Sequence, residues 1–236
     1  MNRLLLFYKT LVLFFCTYTC FADTDEGKAE IKYDAAKKTF LLRNNLFKRE
    51  ILADEKHHNF YTIVFKDSLS DYNYIVSGSQ EFYFKLNGSD VSGNTGHWDY
   101  TEHIIYEGKN NAKILTVTLK GLRQSITENL ILNIHYEIYP DMPVVRKWMV
   151  IKNTRDKEIK ITDLEWENLK MMMTLPEWRP GFSCMSQVYA HYGQTMFHPP
   201  YKGSSEDPAL LVFKDDVQRG YILGNESPAI QKHIDV

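Results

Sequence analysis

Residues 130–165 read LILNIHYEIYPDMPVVRKWMVIKNTRDKEIKITDLE. Leu132, Ile134, Tyr136 and Ile138 alternate with Ile131, Asn133, His135, Glu137 and Tyr139. The first set is apolar throughout, the period-two signature of a strand with one buried face. Pro140-Asp141-Met142-Pro143 ends that strand, because proline fixes φ and has no N–H to donate. Residues 144–152 are rich in β-branched and aromatic side chains and form a second strand. Asn153-Thr154-Arg155-Asp156-Lys157 is a polar turn of hairpin length, and Ile159, Ile161 and Leu164 open a third strand. The stretch is predicted to be an antiparallel meander of three strands.

The neighbouring sequence extends the pattern. Residues 101–106 and 112–119 form a hairpin around Glu107-Gly108-Lys109-Asn110-Asn111. Residues 59–66 (NFYTIVFK) are apolar on both faces, as in a central strand. Residues 72–76 and 80–86 are shorter strands, and 31–33 with 39–44 make another hairpin. Residues 48–58 (KREILADEKHH) are charged on both sides of Ile51 and Leu52 and read equally as a surface connection or a frayed strand. Residues 87–96 are a polar loop dense in Gly, Asn and Ser, running into His97-Trp98-Asp99-Tyr100. Downstream, residues 164–174 are predicted to continue as strand, with a short helix as the alternative. Residues 175–205 contain four prolines and read as a long loop. Residues 209–213 and 220–224 are the last clear strands. About twelve strands without a long helix predict an all-β fold, a large antiparallel β-sandwich.

Residues 1–22 read as a secretory leader. Arg3 and Lys9 make a basic start, residues 10–19 are largely apolar, and Cys20-Phe21-Ala22 offers a cleavage site before Asp23. The apolar run falls short of the ~20 residues that span a bilayer. A lipid-modified Cys20 is the alternative. The mature protein is then residues 23–236, one β-sandwich domain, exported to the periplasm or outside the cell, with no membrane segment. Removing the leader leaves 26 basic against 30 acidic residues, a net charge of −4, and Cys184 as the one cysteine. No internal disulfide is available, so the hydrophobic core must hold the fold. The near-neutral balance argues against a nucleic-acid partner.

The histidines show no metal-ligand spacing, and no G-x-S-x-G elbow is present, so neither a metal nor a cofactor is expected. Glu165 and Glu167 could share a strand face at the roughly 5–10 Å that glycoside chemistry needs. Acidic neighbours are common, and the pair reads as solvated surface. The better ligand-contact candidates are aromatic residues in loops: Trp98 after the Gly-rich loop, and Trp178, His191 and Tyr192 in the proline-rich region. Trp and Tyr join an apolar ring face to a polar tip, which matches the two-sided chemistry of a sugar. The competing assignment for all of them is sandwich edge cover.

The run Tyr136-Glu137-Ile138-Tyr139-Pro140-Asp141-Met142-Pro143-Val144-Val145-Arg146-Lys147-Trp148, closed by Asn153, resembles the amino-terminal β-sandwich of α-galactosidase-type retaining glycoside hydrolases. Residues 207–212 and 220–228 resemble later strands of that domain. The resemblance implies a supersandwich of the galactose-mutarotase type, placed before a (β/α)₈ barrel that carries two catalytic aspartates. That barrel is not among these residues, so the resemblance assigns no catalytic residue here. It implies instead a non-catalytic domain that shapes the sugar site of the barrel, with an α-galactoside as the partner. A free-standing carbohydrate-binding sandwich is the second reading. A structural module that self-associates into homo-oligomers is the third.

Overall fold

The structure is a computed structural model. It describes residues 11–14, 27–68, 71–76, 78–170, 178–186, 193–197, 202–205, 209–214, 219–225 and 232–235. The strands are β1 (Leu11–Phe14), β2 (Glu30–Asp34), β3 (Thr39–Arg43), β4 (Phe47–Asp54), β5 (Asn59–Asp67), β6 (Ser79–Gln80), β7 (Tyr83–Leu86), β8 (Ser89–Ser92), β9 (Trp98–Glu107) and β10 (Lys113–Gly121). There follow β11 (Leu130–Ile138), β12 (Val144–Asn153), β13 (Ile161–Glu165), β14 (Trp178–Ser186), β15 (Gly193–Phe197), β16 (Lys202–Ser205), β17 (Ala209–Lys214), β18 (Arg219–Asn225) and β19 (Lys232–Asp235). The protein is all-β, as its sequence predicts. The chain divides into two compact units, one built mainly of residues 26–142 and 147–172, the other of residues 9–25, 143–146 and 173–236.

The first unit is a sandwich. One layer is the antiparallel sheet β2–β3–β4–β5–β6. The facing strands run in the order β12–β11–β10–β9. The alternation read from β11 is observed as far as Tyr136: Leu130, Leu132, Ile134, Tyr136 and Ile138 are buried, and Ile131, Asn133 and His135 are half-buried, but Glu137, read on the open face, is buried too. Leu115, Val117 and Leu119 of β10 share that inner face. From the opposite layer Phe40, Ile51, Phe60 and Phe65 are all fully buried. Phe40 meets Tyr100 and His103 of β9 across the core at 5.7 and 5.2 Å between ring centres.

Several sequence readings are corrected here. The third strand of the meander leaves: β13 pairs with β7, not with β12, in a separate sheet β13–β7–β8. The polar turn before it is held elsewhere. Thr154 N and Oγ1 donate to Asn129 O at 2.9 and 2.6 Å, and Arg155 Nε donates to Glu128 O at 2.7 Å. Asn87 then captures the chain, accepting Lys160 N on Oδ1 at 2.9 Å while its own N–H reaches Lys160 O at 2.8 Å.

Residues 48–58 contain a full strand, β4, whose Phe47, Arg49, Ile51 and Ala53 point inward without exception. Residues 59–66 are buried on one face rather than two. A bulge opposite Glu50 and Ile51 places the extra residue on β5, so that Thr62 and Phe65 both face inward. In place of a strand, residues 72–76 carry two bridge residues, Asn73, which pairs with Lys66, and Ile75. The polar loop 87–96 contains β8, and strand β13 stops at Glu165.

In the second unit the backbone runs β15–β14–β17–β18–β1, with β16–β19 as a separate pair. β17 and β18 are the strands read from the sequence. The proline-rich stretch holds three strands where a loop is expected. Pro180 explains why the loop reading failed: β14 pairs with β17 over residues 178–183 but with β15 only from Phe182 onward. Pro180 therefore sits where β14 has one neighbour, the edge condition that proline tolerates. Residues 11–14, inside the stretch read as a leader, pair with 222–225 as β1.

Candidate functional site

Two adjacent residue pairs organise the first unit, His135-Tyr136 on β11 and Lys147-Trp148 on β12. Successive side chains on a strand point to opposite faces. Tyr136 and Lys147 are fully buried on the inner face, while His135 and Trp148 are half-buried on the outer one.

The inner face holds a charge cluster drawn from β4, β5, β11 and β12 and from the segments that follow β6 and β13. Arg49 Nη2 donates to Glu81 Oε1 and Oε2 at 3.0 and 2.9 Å and to Glu167 Oε1 at 2.8 Å, while Nη1 donates to Glu167 Oε2 at 2.9 Å. Arg49 Nε donates to Thr62 Oγ1 at 3.2 Å, and Thr62 Oγ1 donates to Glu81. Lys147 Nζ donates to Glu81 Oε2 at 2.7 Å, to Glu167 Oε1 at 3.2 Å, and to the Glu81 carbonyl. Tyr136 OH donates to Glu81 Oε2 at 2.6 Å, and its ring lies 5.5 Å from both Arg49 Cζ and Lys147 Nζ. The side chains of Arg49, Glu81 and Lys147 are 0% exposed and that of Glu167 is 4% exposed.

Two cations thus face two carboxylates with no net charge. Burial alone would favour a neutral Glu81, but Arg49 and Lys147 outweigh it and hold the carboxyl down at about 2. Burial likewise opposes the Arg49 charge and is outweighed by Glu167 and Glu81, which raise its pKa well above the ordinary value. Burial and then the Glu81 charge push the Tyr136 phenol well above its usual range, so it stays a donor. The cluster lies in the interior of this unit. Its consequence is positional, because a fixed Tyr136 and Lys147 fix the backbone that carries His135 and Trp148.

On the outer face the imidazole of His135 and the indole of Trp148 stack at 4.9 Å with 4° between planes. Thr116 Oγ1 lies 2.9 Å from His135 Nδ1, in register across β10 and β11. Burial lowers the His135 pKa, so the ring is neutral near pH 7 and able both to donate and to accept. Thr118 stands opposite Asn133 in the next pair. Asn133 Oδ1 is a buried acceptor with no hydrogen-bond partner among the described residues. An aromatic plane, a neutral imidazole, hydroxyls and an amide on one sheet face can take a neutral, hydroxyl-rich ligand. Among the described residues no group of three or more His, Cys, Asp or Glu could hold a metal ion.

The residues singled out from sequence fall differently. Trp98 is 1% exposed. Its ring packs edge-on to Phe82 and Phe84 at 5.8 and 6.4 Å, and its Nε1–H donates to Ser92 O at 3.1 Å. It is a core residue that closes the Gly-rich loop, and its faces are not open to a sugar. Trp178 lies in the backbone of β14 with its side chain outside the described residues, as are His191 and Tyr192. Glu165 and Glu167 do not act together: Glu165 is exposed and bound by Asn168 Nδ2, while Glu167 is buried in the charge cluster rather than solvated. His135 and Trp148 were within the quoted stretch. Their signal was the outward half of the alternation in β11 and β12, which a search for buried faces passes over.

No family model matches this chain, and no curated protein matches its sequence. Among solved structures the chain is similar to the galactosidase domain of an α-galactosidase–sucrose kinase, AgaSK, with a TM-score of 0.54 and 10% identity. The match covers 87% of this chain and 40% of that one, so the chain spans well under half the length of the structure it resembles. At this identity the likeness shows a shared fold.

Proposed function

We propose that this chain is a carbohydrate-associated β-sandwich: the non-catalytic amino-terminal domain of an exported α-galactosidase-like glycoside hydrolase, which supports and shapes the sugar site of a following (β/α)₈ barrel. The sandwich fold, similar to that of a galactosidase domain, carries this reading. It is supported by residues 136–148, whose resemblance to such sandwiches falls on the two strands that the charge cluster holds in place. Export rests on the leader-like residues 1–22 and is tested by the amino terminus of the protein recovered from a secreting host.

The outer face of β10, β11 and β12 supports a second reading, a free-standing carbohydrate-binding sandwich. There Trp148, His135, Thr116 and Asn133 supply the stacking and hydrogen bonding that a sugar uses. Both readings are tested on the same protein. Hydrolysis of an aryl α-galactoside is measured alongside calorimetric titration with galactose and a raffinose-type oligosaccharide. No turnover and no heat leaves the supporting role. Heat without turnover, weakened about tenfold by Trp148→Ala, selects the binding module. Turnover by these 236 residues overturns both.

A further inference from the structure

We infer that Arg49 and Lys147 form a carboxylate-binding site which the chain fills with its own Glu167, so that residues 166–170 are a strap held in place by charge. The guanidinium of Arg49 grips Glu167 through two hydrogen bonds of 2.9 and 2.8 Å, the bidentate fork that matches a carboxylate, and Lys147 Nζ shares one oxygen at 3.2 Å. Glu81 braces both cations from the other side, with Thr62 and Tyr136 as further partners. With Glu167 withdrawn, two buried cations would face one carboxylate. The site would then hold an uncompensated positive charge that any small carboxylate could neutralise.

The strap begins where β13 ends at Glu165, and residues 166–170 lie outside the named strands. Trp166 is buried, and Lys170 forms the far anchor: its N–H donates to Ser79 Oγ at 3.0 Å, and its carbonyl accepts Val76 N at 2.9 Å and Ser79 Oγ at 3.2 Å. Glu167 is the charged clasp between these two ends. The inference concerns this chain's own segment and stands apart from the sugar reading.

The test is chemical rescue in the full chain. Glu167→Ala is compared with wild type by thermal melting and by hydrogen exchange at the Val76 and Lys170 amides. Each is measured with sodium formate and with sodium chloride at equal ionic strength. In chloride the two amides should exchange at least about tenfold faster than in wild type, the size expected for losing a charged hydrogen-bonded pair. Formate should restore slow exchange and the melting temperature in a saturable way. Formate should not restore Glu167→Gln, whose amide still fills the site. Equal effects of formate and chloride on Glu167→Ala would overturn the proposal, as would equal rescue of both variants. Should Glu167→Ala fail to fold, exchange in Glu167→Gln decides: about tenfold faster at Val76 supports the clasp, and unchanged exchange overturns it.

Discussion

Arg49 and Glu167 lie 118 positions apart in sequence and meet through two hydrogen bonds in the interior of the first unit, at 2.9 and 2.8 Å. Arg49 comes from the middle strand of one sheet, and Glu167 from the segment that follows the edge of another. Their contact, with Glu81 and Lys147, ties β4 and β12 to the segments after β6 and β13 through groups that are costly to bury alone and tolerable only together.

The first prediction follows from that asymmetry. Arg49→Met leaves Glu81 and Glu167 buried against Lys147 alone and should destabilise the protein by about 3–5 kcal/mol. Replacing Arg49 and Glu81 together by apolar residues of similar size should cost less than the sum of the two single changes. Urea unfolding of the two single variants and the double variant checks this. Strict additivity would show that the groups are not coupled.

Acid should weaken the protein through Glu81. Its folded-state pKa of about 2 is below the ordinary 4.5, so the unfolded chain binds the proton more tightly. The stabilisation is fully present above about pH 5 and is lost as pH falls through the window down to about 2, in total on the order of 3 kcal/mol. Unfolding free energies measured across that window should fall with acid in wild type. In Glu81→Gln the protein starts less stable and the fall is shallower.

The fold class was legible because strands such as β3, β7 and β11 alternate with a period of two, as Leu132, Ile134 and Tyr136 do. Strand β4 was hidden by its charges. Lys48 and Glu50 pair on the outside at 2.6 Å, and Arg49 between them points inward. A period-two count that allows one buried arginine finds it; a count that requires apolar residues does not. Lys147 was hidden in the same way between Val145 and Met149. The departure of β13 was not legible at all, because it depends on Asn87 and Asn129, whose partners lie far along the chain. Of the outer-face site, the residues were quoted but their juxtaposition was not, since nothing in the sequence aligns β10, β11 and β12 in register.

Gly93 marks a close approach that only a glycine permits. A Cβ there would lie 2.1 Å from the carbonyl oxygen of Phe60, whose own N–H donates to Gly93 O at 2.6 Å. Gly93→Ala should therefore break this contact between the polar loop and β5, at a cost of about 2 kcal/mol or more. A melting temperature equal to wild type would mean that the loop can retreat without loss.

The His135–Trp148 stack makes a spectroscopic prediction. Burial lowers the His135 pKa, so its ring protons should titrate below 6.5 by NMR. Trp148→Ala uncovers the imidazole, and the midpoint should move back toward 6.5. The sign for stability follows. A histidine whose folded pKa is depressed stabilises above the unfolded value and loses that contribution as pH falls through the folded one. An unmoved midpoint in Trp148→Ala would show that the indole does not shield the ring.

Trp98 and Trp148 should part company when each is changed to alanine. Trp98 is buried, packs on Phe82 and Phe84, and gives its Nε1–H to Ser92 O, so its loss opens a cavity and removes one of two donors to that carbonyl, the other being Thr95 Oγ1. Trp98→Ala should cost about 3–5 kcal/mol. Once corrected for the folded fraction, it should leave any heat of galactoside binding unchanged. Trp148 is half-buried on the outer face and stacked on His135 at 4.9 Å. Trp148→Ala should cost no more than about 2 kcal/mol of stability and should weaken the binding about tenfold. Calorimetry on both variants, with urea unfolding as the control for folding, gives the comparison. Loss of binding in Trp98→Ala with Trp148→Ala intact would move the sugar contact from the outer face of β11 and β12 to the Gly-rich loop.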